Sequence, residues 1–379
     1  MFVDIYAIQT VPPSNINRDD TGSPKTAVYG GKLRARVSSQ AWKRAMRNEF
    51  AELLPAEKLG IRTKFAVQLI AEAIVEHNVQ YEEKAEDLAE SVLKAIELKI
   101  EKSSQAGEAT GAKITEYLLF IAPTEIQELA ELAISWDERG LNTKKPSSKM
   151  KKEVEDVLTG TQAIDVALFG RMLADAPRCN TDASAQVAHA ISVDEVQTDY
   201  DYFTAMDDRA PKDNAGATMI DTVAFNSSTL YRYATVNLSS LSEQLGEIEA
   251  TAAAAATFVE AFIRSMPTGK QNTFANRTLP STVYVALRAS QPVNAVFAFE
   301  VPIRPSAEKS VSHQAAERLG ATLQEIERAY GTDRTQAWYV TTETGIEALS
   351  AIGDKTNLPA LVEDLRAAVG TLLAQKEQQ

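Results

Sequence analysis

The stretch Tyr29-Gly30-Gly31-Lys32-Leu33-Arg34-Ala35-Arg36-Val37-Ser38-Ser39-Gln40-Ala41-Trp42-Lys43-Arg44-Ala45-Met46-Arg47 holds a turn, a strand, a cap and a helix in immediate succession. Gly30-Gly31 turns the chain, Leu33 to Val37 reads as a short strand, and Ser38 or Ser39 can cap a helix running from about Gln40 to Leu54. On that helix Gln40, Lys43, Arg44 and Arg47 fall at i, i+3, i+4 and i+7, while Trp42, Ala45 and Met46 lie toward another face. Such a helix docks on a core and still presents a basic stripe. The hydroxyls and open N–H groups of Ser38-Ser39-Gln40, together with the helix dipole, make an anion site at its start. From Lys25 to Arg47 there are seven cations, Lys25, Lys32, Arg34, Arg36, Lys43, Arg44 and Arg47, and no Asp or Glu. The bland alternative, solvated charges paired with acids elsewhere, is disfavoured by the acid-free window and by the cap that coincides with the stripe.

Around this window the chain is acidic, with a formal net charge of -13 over 379 residues. An acidic surface repels phosphates at long range, so non-specific coating of nucleic acid is excluded and a polyanion site must be local. With 44% hydrophobic residues the chain can bury a sizeable core, in two or three domains or in one domain with large insertions. No apolar run approaches a membrane span and no charged-then-apolar leader precedes the first strand, so a cytoplasmic protein without membrane contact is expected. Cys179 reads as a packed thiol, and His77, His189 and His313 are too scattered to suggest a metal site; neither a metal nor another cofactor is expected. Walker and GxGxxG loops and internal repeats are absent.

The first strand is Phe2 to Ile8, with Phe2, Asp4, Tyr6 and Ile8 on one face and Val3, Ile5 and Ala7 on the other, a pattern that suits a central strand. Pro12 to Pro24 is a turn-rich loop of functional length. From about Leu59 to Gly170 the pattern becomes helical, at Lys64 to Glu76, Ala85 to Ile100, Thr124 to Trp136 and Lys149 to Leu158, with polar linkers at Lys102 to Lys113 and Asp137 to Ser148. This block reads as a large all-α insertion. Strands return at Ala185 to Val193, Leu230 to Leu238 and Thr282 to Arg288, with helices at Ser242 to Ser265, Gln314 to Tyr330 and Leu358 to Gln375. The expectation is an α+β fold with a ferredoxin-like, RRM-like core and insertions growing from its loops.

Several runs carry a resemblance. Asn17-Arg18-Asp19-Asp20, Tyr29-Gly30-Gly31-Lys32, Arg36-Val37-Ser38-Ser39-Gln40 and Lys43-Arg44-Ala45-Met46-Arg47 resemble the N-terminal signature of the CRISPR Cascade backbone subunit of type I-E systems, the CasC branch of the Cas-seven family. Gly170-Arg171-Met172, Ala188-His189-Ala190-Ile191, Tyr202-Phe203-Thr204-Ala205-Met206-Asp207-Asp208 and Tyr231-Arg232-Tyr233-Ala234 resemble later blocks in the same order, and beyond Leu279 the likeness is loose. The resemblance implies an RRM-like palm (residues 1–58, 174–195 and 223–379), a helical fingers insertion (59–173) and a β-hairpin thumb (196–222). It implies a non-catalytic subunit that polymerises with further copies of itself along a CRISPR guide RNA, beside other Cascade subunits, and supports pairing with target DNA.

Carried over residue by residue, the palm contacts to RNA phosphates match Arg18, Lys25, Lys43, Arg44 and Arg47, beside Ser38 and Gln40. These would read backbone, as a subunit serving many guides requires. The thumb carries Asp199, Asp201, Asp207 and Asp208, which repel phosphate, so its contact must be apolar. Tyr202, Phe203 and Thr204 could wedge between bases, a stack worth about 1 to 3 kcal/mol per base, or fill the root of a hairpin. Met172 matches a fingers methionine that assists base flipping in the family. The run Lys144, Lys145, Lys149, Lys151 and Lys152 matches a fingers contact to incoming duplex DNA, or is a solvated face. Lys270 lies in a loop that can reach nucleic acid or be a plain surface charge.

Two other readings stay open. Asp19-Asp20 could hold a metal for RNA cleavage, although the resemblance is to a non-cleaving branch and Arg18 stands beside the pair. Alternatively the basic window contacts an acidic neighbouring subunit, in an assembly module without direct RNA contact.

Overall fold

A computed structural model describes residues 1–103, 111–205, 219–332 and 334–378. Strand β1 (Phe2–Ser14) is followed by the hairpin β2 (Thr26–Tyr29) and β3 (Lys32–Val37) and by helix α1 (Ser39–Leu53). Next come β4 (Ile61–Thr63), α2 (Ala66–His77), α3 (Ala85–Ala95), β5 (Ile100–Lys102), β6 (Lys113–Thr115), β7 (Leu119–Ile121), α4 (Pro123–Glu138), α5 (Ser148–Leu158) and α6 (Ile164–Phe169). The chain then runs through β8 (Ala185–Val187), β9 (Ala190–Ser192), β10 (Asp199–Ala205), β11 (Met219–Asn237), α7 (Leu238–Leu245), α8 (Ile248–Arg264) and the single turn α9 (Gln271–Phe274). It closes with β12 (Thr282–Arg288), α10 (Val311–Tyr330), β13 (Arg334–Thr341), α11 (Glu347–Ser350), β14 (Asp354–Lys355) and α12 (Leu358–Glu377).

These elements form two compact units, one of Met1–Glu49, Gln186–Leu238 and Ala255–Gln379, the other of Phe50–Ala185 and Ser239–Ala254. The first is organised by a sheet of order β14-β13-β12-β1-β11-β9-β3-β2, with β10 and β8 also paired to β11. β1 lies between β11 and β12, antiparallel to both, which explains why Val3 to Ile8 are buried on either face. Tyr6 stands opposite Tyr233 on one neighbour and Tyr284 on the other, with ring centroids 5.2 and 5.8 Å apart. Such cross-strand aromatic pairs set register. Asp4 shares their face, fully buried, and accepts from Arg288 Nε at 2.8 Å, the Val293 N–H at 2.9 Å and the Tyr233 hydroxyl at 2.9 Å. Burial pushes its carboxyl above the ordinary range, and these donors oppose that shift. Leu319 and Leu323 of α10 cover this face.

On the opposite face, Arg232 (paired to Ala7) is buried, with its guanidinium 3.6 Å from the ring centroid of Trp42 and 4.3 Å from that of Phe262. It donates to Gln9 Oε1 at 2.6 Å and to the Phe262 carbonyl. A planar cation between two rings ties α1 to α8 over the sheet.

The second unit departs from the all-α expectation. It carries the antiparallel ladders β4–β7 and β5–β6, each three residue pairs long. Strands this short show no period of two that sequence reading could separate from helix flanks. α3 ends at Ala95, before Ile100, because Glu97 takes a left-handed φ of 68°. Likewise the expected helix Ser242 to Ser265 is two helices, α7 and α8, parted at Gly246 with φ 74°. β2 and β13 had no counterpart in the sequence reading.

Candidate nucleic-acid interface

α1 docks through Trp42, Ala45, Met46 and Phe50, all buried, and burial of each large side chain contributes about 1.5 to 3 kcal/mol. Ser38 is the cap: its Oγ accepts the Ala41 N–H at 3.3 Å and its own N–H donates to Asn17 Oδ1 at 2.9 Å. Only 6% of Ser38 is exposed. Its hydroxyl therefore serves the helix, and the anion site expected there is reduced to the outward groups of the first turn, with Gln40 exposed.

The seven cations of the window fall into distinct environments. Arg34 is fully buried and donates to the carbonyls of Ser192, Phe299 and Glu300, so it holds the β2–β3 hairpin in place. Lys32 pairs with Glu195 at 3.2 Å, an acid supplied from far along the chain. Lys43 and Arg47 are half-buried, and desolvation lowers the Lys43 ammonium below its usual value. Arg44 is exposed. Arg36 reaches His189, with Nη1 3.1 Å from Nδ1. A guanidinium can only donate, so His189 Nδ1 accepts and its Nε2 carries the proton. Desolvation, then Arg36 and Lys25, lower the imidazole's pKa.

The loop before β2 is tightly built. The Lys25 N–H donates to the Asn17 carbonyl and the Arg36 N–H to the Lys25 carbonyl, both at 2.9 Å, which fixes Lys25 beside Arg36. Arg18 is exposed on the same loop. Asn15 Nδ2 ties it to the carbonyls of Gly22 and Ala224. Gly269 packs so closely on it that a Cβ would stand 2.4 Å from the Ile16 carbonyl oxygen, which brings the neighbouring Lys270 to this loop. Asp19 Oδ1 accepts from the Thr21 N–H, the Thr21 hydroxyl and the Ser23 N–H, at 2.9, 2.7 and 3.0 Å. The Thr21 hydroxyl leads the contacts that hold the Asp19 pKa down. Its carboxylate is the staple of the turn.

β10 pairs with β11 as an antiparallel hairpin, and Met206, Asp207 and Asp208 lie outside the described residues. Alternation puts Tyr200, Tyr202 and Thr204 on one face and Asp199, Asp201 and Phe203 on the other. Tyr202 and Phe203 therefore cannot enter one gap together. Tyr200, 69% exposed, is the neighbour of Tyr202, 63% exposed, across from the small Ala224 and Thr222. Near the hairpin root it is Phe225 that packs, 5.7 Å from the ring of Phe274.

In the second unit Met172 is 84% exposed between buried Arg171 and Leu173. Arg171 exchanges both backbone hydrogen bonds with Thr181 and donates from Nη1 to Glu125 Oε1 at 2.8 Å. Leu173 N–H donates to Asn180 Oδ1 at 2.6 Å. Both flanks are clamped. Lys144, Lys145, Lys149 and Lys152 are exposed, whereas Lys151 pairs with Glu97 at 2.7 Å.

A family model described as CT1975-like protein matches residues 3–364. The chain belongs to the CT1975-like protein family. This is a family of Cas proteins of the Cas-seven type, and its match runs well past Leu279, where the motif likeness fades. Two solved structures are similar to this CT1975-like protein over nearly its whole length. One, a CRISPR RNA-guided surveillance complex described as pre-nicking, is 34% identical, with 97% of this chain and 100% of that one covered and a TM-score of 0.81. The other, a CRISPR RNA-guided surveillance complex, is 31% identical with the same coverage and a TM-score of 0.72. No protein of curated function matches.

Sequence reasoning missed three surface groups of this CT1975-like protein: Arg36, His189 and Tyr200. Arg36 was within the acid-free window, and Tyr200 stands two residues before Tyr202, the spacing of a shared strand face. His189 had no local signal, since its partner lies 153 residues away.

Proposed function

We propose that this CT1975-like protein is the non-catalytic, RNA-holding backbone subunit of a type I-E CRISPR surveillance complex. In this reading the sheet unit is an RRM-like palm, the helical unit the fingers and the β10–β11 hairpin the thumb. Copies line up along a guide RNA beside other Cascade subunits in the cytoplasm, and the array supports pairing with target DNA. The observation that carries it is the group Arg18, Lys25, Arg36 and Arg44, which on one unit has no ion-paired acid among the described residues. Cations left without acids suit a phosphate backbone better than an acidic protein surface of fixed geometry, because they bind any sequence alike. The two similar structures are named as RNA-guided complexes, which supports the same partner. The role of Asp19 in its turn supports a non-catalytic loop.

The test is the affinity of the full chain for single-stranded RNA against salt. Each phosphate contact contributes about 0.7 to the log-log slope, so the variant Lys43→Ala/Arg44→Ala/Arg47→Ala should bind more weakly with a slope lower by roughly 2. Unchanged affinity would sink the reading.

A further inference from the structure

In the second unit α2 and α3 pack against each other, and beside them runs a groove of about 520 Å³. Its floor is apolar and small, with Ala71 and Val75 from α2 and Ala85 from α3. These three side chains rest on the core of the unit, so the floor is fixed by the packing beneath it. The walls are acidic: Glu72 and Glu76 come from α2, Glu82 from the 3-10 turn Val79–Lys84 and Glu86 from the first turn of α3. All four glutamates are exposed, and none has a cation within ion-pair distance among the described residues. Lys113, the one cation among the lining residues, is held by Asp87 and Glu90 at 2.7 Å each. Other acids of this unit do take cations as partners, as Asp137 does with Lys84, Glu97 with Lys151 and Glu153 with Arg139. The groove thus joins an apolar floor to a negative charge that the unit itself leaves unanswered.

We propose that this groove docks a basic amphipathic helix of another protein, with the apolar stripe of that helix on Ala71, Val75 and Ala85 and its Lys or Arg side chains on the four glutamates. Small residues let a third helix approach two packed ones closely, and an apolar stripe laid in such a groove is a recurrent mode of recognition. Glu72 and Glu76 stand one turn apart, the spacing at which cations recur along one side of a helix. Carboxylates at the rim steer and orient the cationic partner, while the floor gives it a place to bury apolar surface. Nucleic acid is disfavoured, because unanswered carboxylates repel phosphates. A second copy is disfavoured too: its basic helix α1 turns Trp42, Met46 and Phe50 inward, buried, and has no apolar stripe to offer. Residues 104–110 of this chain bring Glu108 and no cation, so they do not complement the charge. The inference stands apart from the RNA-holding reading, whose cations belong to the sheet unit.

The experiment uses the full chain and two synthetic peptides: a helical one with a Leu/Ala stripe flanked by lysines one turn apart, and a control with the same lysines and serine in place of the stripe. The first should bind with one-to-one stoichiometry and shift the methyl NMR signals of Ala71, Val75 and Ala85; the control should bind far more weakly and leave them in place. Glu72→Gln/Glu86→Gln removes two rim charges at exposed positions and should weaken binding of the first peptide about fivefold, the scale of two exposed ion pairs, with a shallower salt dependence. Glu128→Gln/Glu138→Gln makes the same change in net charge at exposed positions outside the groove and should leave the affinity unaltered. Urea midpoints and RNA affinity should be the same in both variants and in the unaltered protein, so a failure here leaves the RNA-holding reading standing. Equal binding of the two peptides, or equal loss in the two variants, would reduce the effect to diffuse attraction by an acidic protein and overturn the proposal. Self-association of the chain that Glu72→Gln/Glu86→Gln abolishes would assign the groove to a second copy. Peptide binding that emerges only after residues 104–110 are replaced by Gly and Ser would assign it to that segment. Either result overturns the proposal as well.

Discussion

Asn17 Oδ1 accepts the Ser38 N–H at 2.9 Å, so one amide joins the loop carrying Arg18 and Lys25 to the start of the helix carrying Arg44. The two halves of the basic face are thereby held in register. Asn17→Ala should lower stability by about 1 kcal/mol, the net worth of one hydrogen bond, and weaken RNA binding as the loop loosens. Asn17→Asp keeps an acceptor for Ser38 but adds a negative charge: thermal unfolding should stay near the unaltered value while RNA affinity drops. Equal behaviour of the two variants in both assays would show that the link does not organise the site.

Arg171 and Met172 are neighbours with opposite duties. Arg171→Met leaves Glu125 buried without its cation and should destabilise the chain by about 3 to 5 kcal/mol, read as a lower urea midpoint. Met172→Ala, at an exposed position, should leave that midpoint unchanged and alter only the pairing of a target strand in the assembled complex. A stability loss in Met172→Ala would mean that the side chain packs.

On the hairpin, Tyr200→Ala and Tyr202→Ala should each weaken single-strand binding by about 1 to 3 kcal/mol if the shared face stacks on bases. Phe203→Ala should have less effect, since Phe203 shares the face of Asp199 and Asp201. Fluorescence titration of each variant distinguishes them. A dominant Phe203 would reverse the assignment of faces.

His189 faces Arg36 and Lys25, and its imidazole titrates below the ordinary value of about 6.5. Between the depressed and the ordinary value the unfolded chain binds a proton that the native chain does not. Stability therefore rises with pH across that window and is lost on acidification through it. His189→Gln should flatten this slope below about pH 6.5 without changing stability at pH 8. Urea midpoints at both pH values check it, and an unaltered acid slope would assign the dependence to another group.

What the sequence disclosed followed from local periodicity. The strand Leu33 to Val37 and the helix from Gln40 agree with β3 and α1 within a residue or two, because cap, stripe and apolar face all pointed one way. β1 runs on through Pro12 and Pro13, read as loop, since the register shifts between Val11 and Ser14 and the prolines need no ladder bond there. The site was legible as a charge pattern and not as geometry. That Arg34 is internal and that Lys32 meets Glu195 and Lys151 meets Glu97 are facts of residues brought together from distant parts of the chain. The placement of Tyr202 and Phe203 on opposite faces was available from alternation alone.

The central strand also has a history. β1 is made well before its hydrogen-bonded neighbours, which begin only at Met219 and Thr282. At the ~5 to 20 residues per second of protein synthesis, this apolar segment waits roughly 10 to 40 s with both edges open, a period in which strand edges invite pairing with other chains.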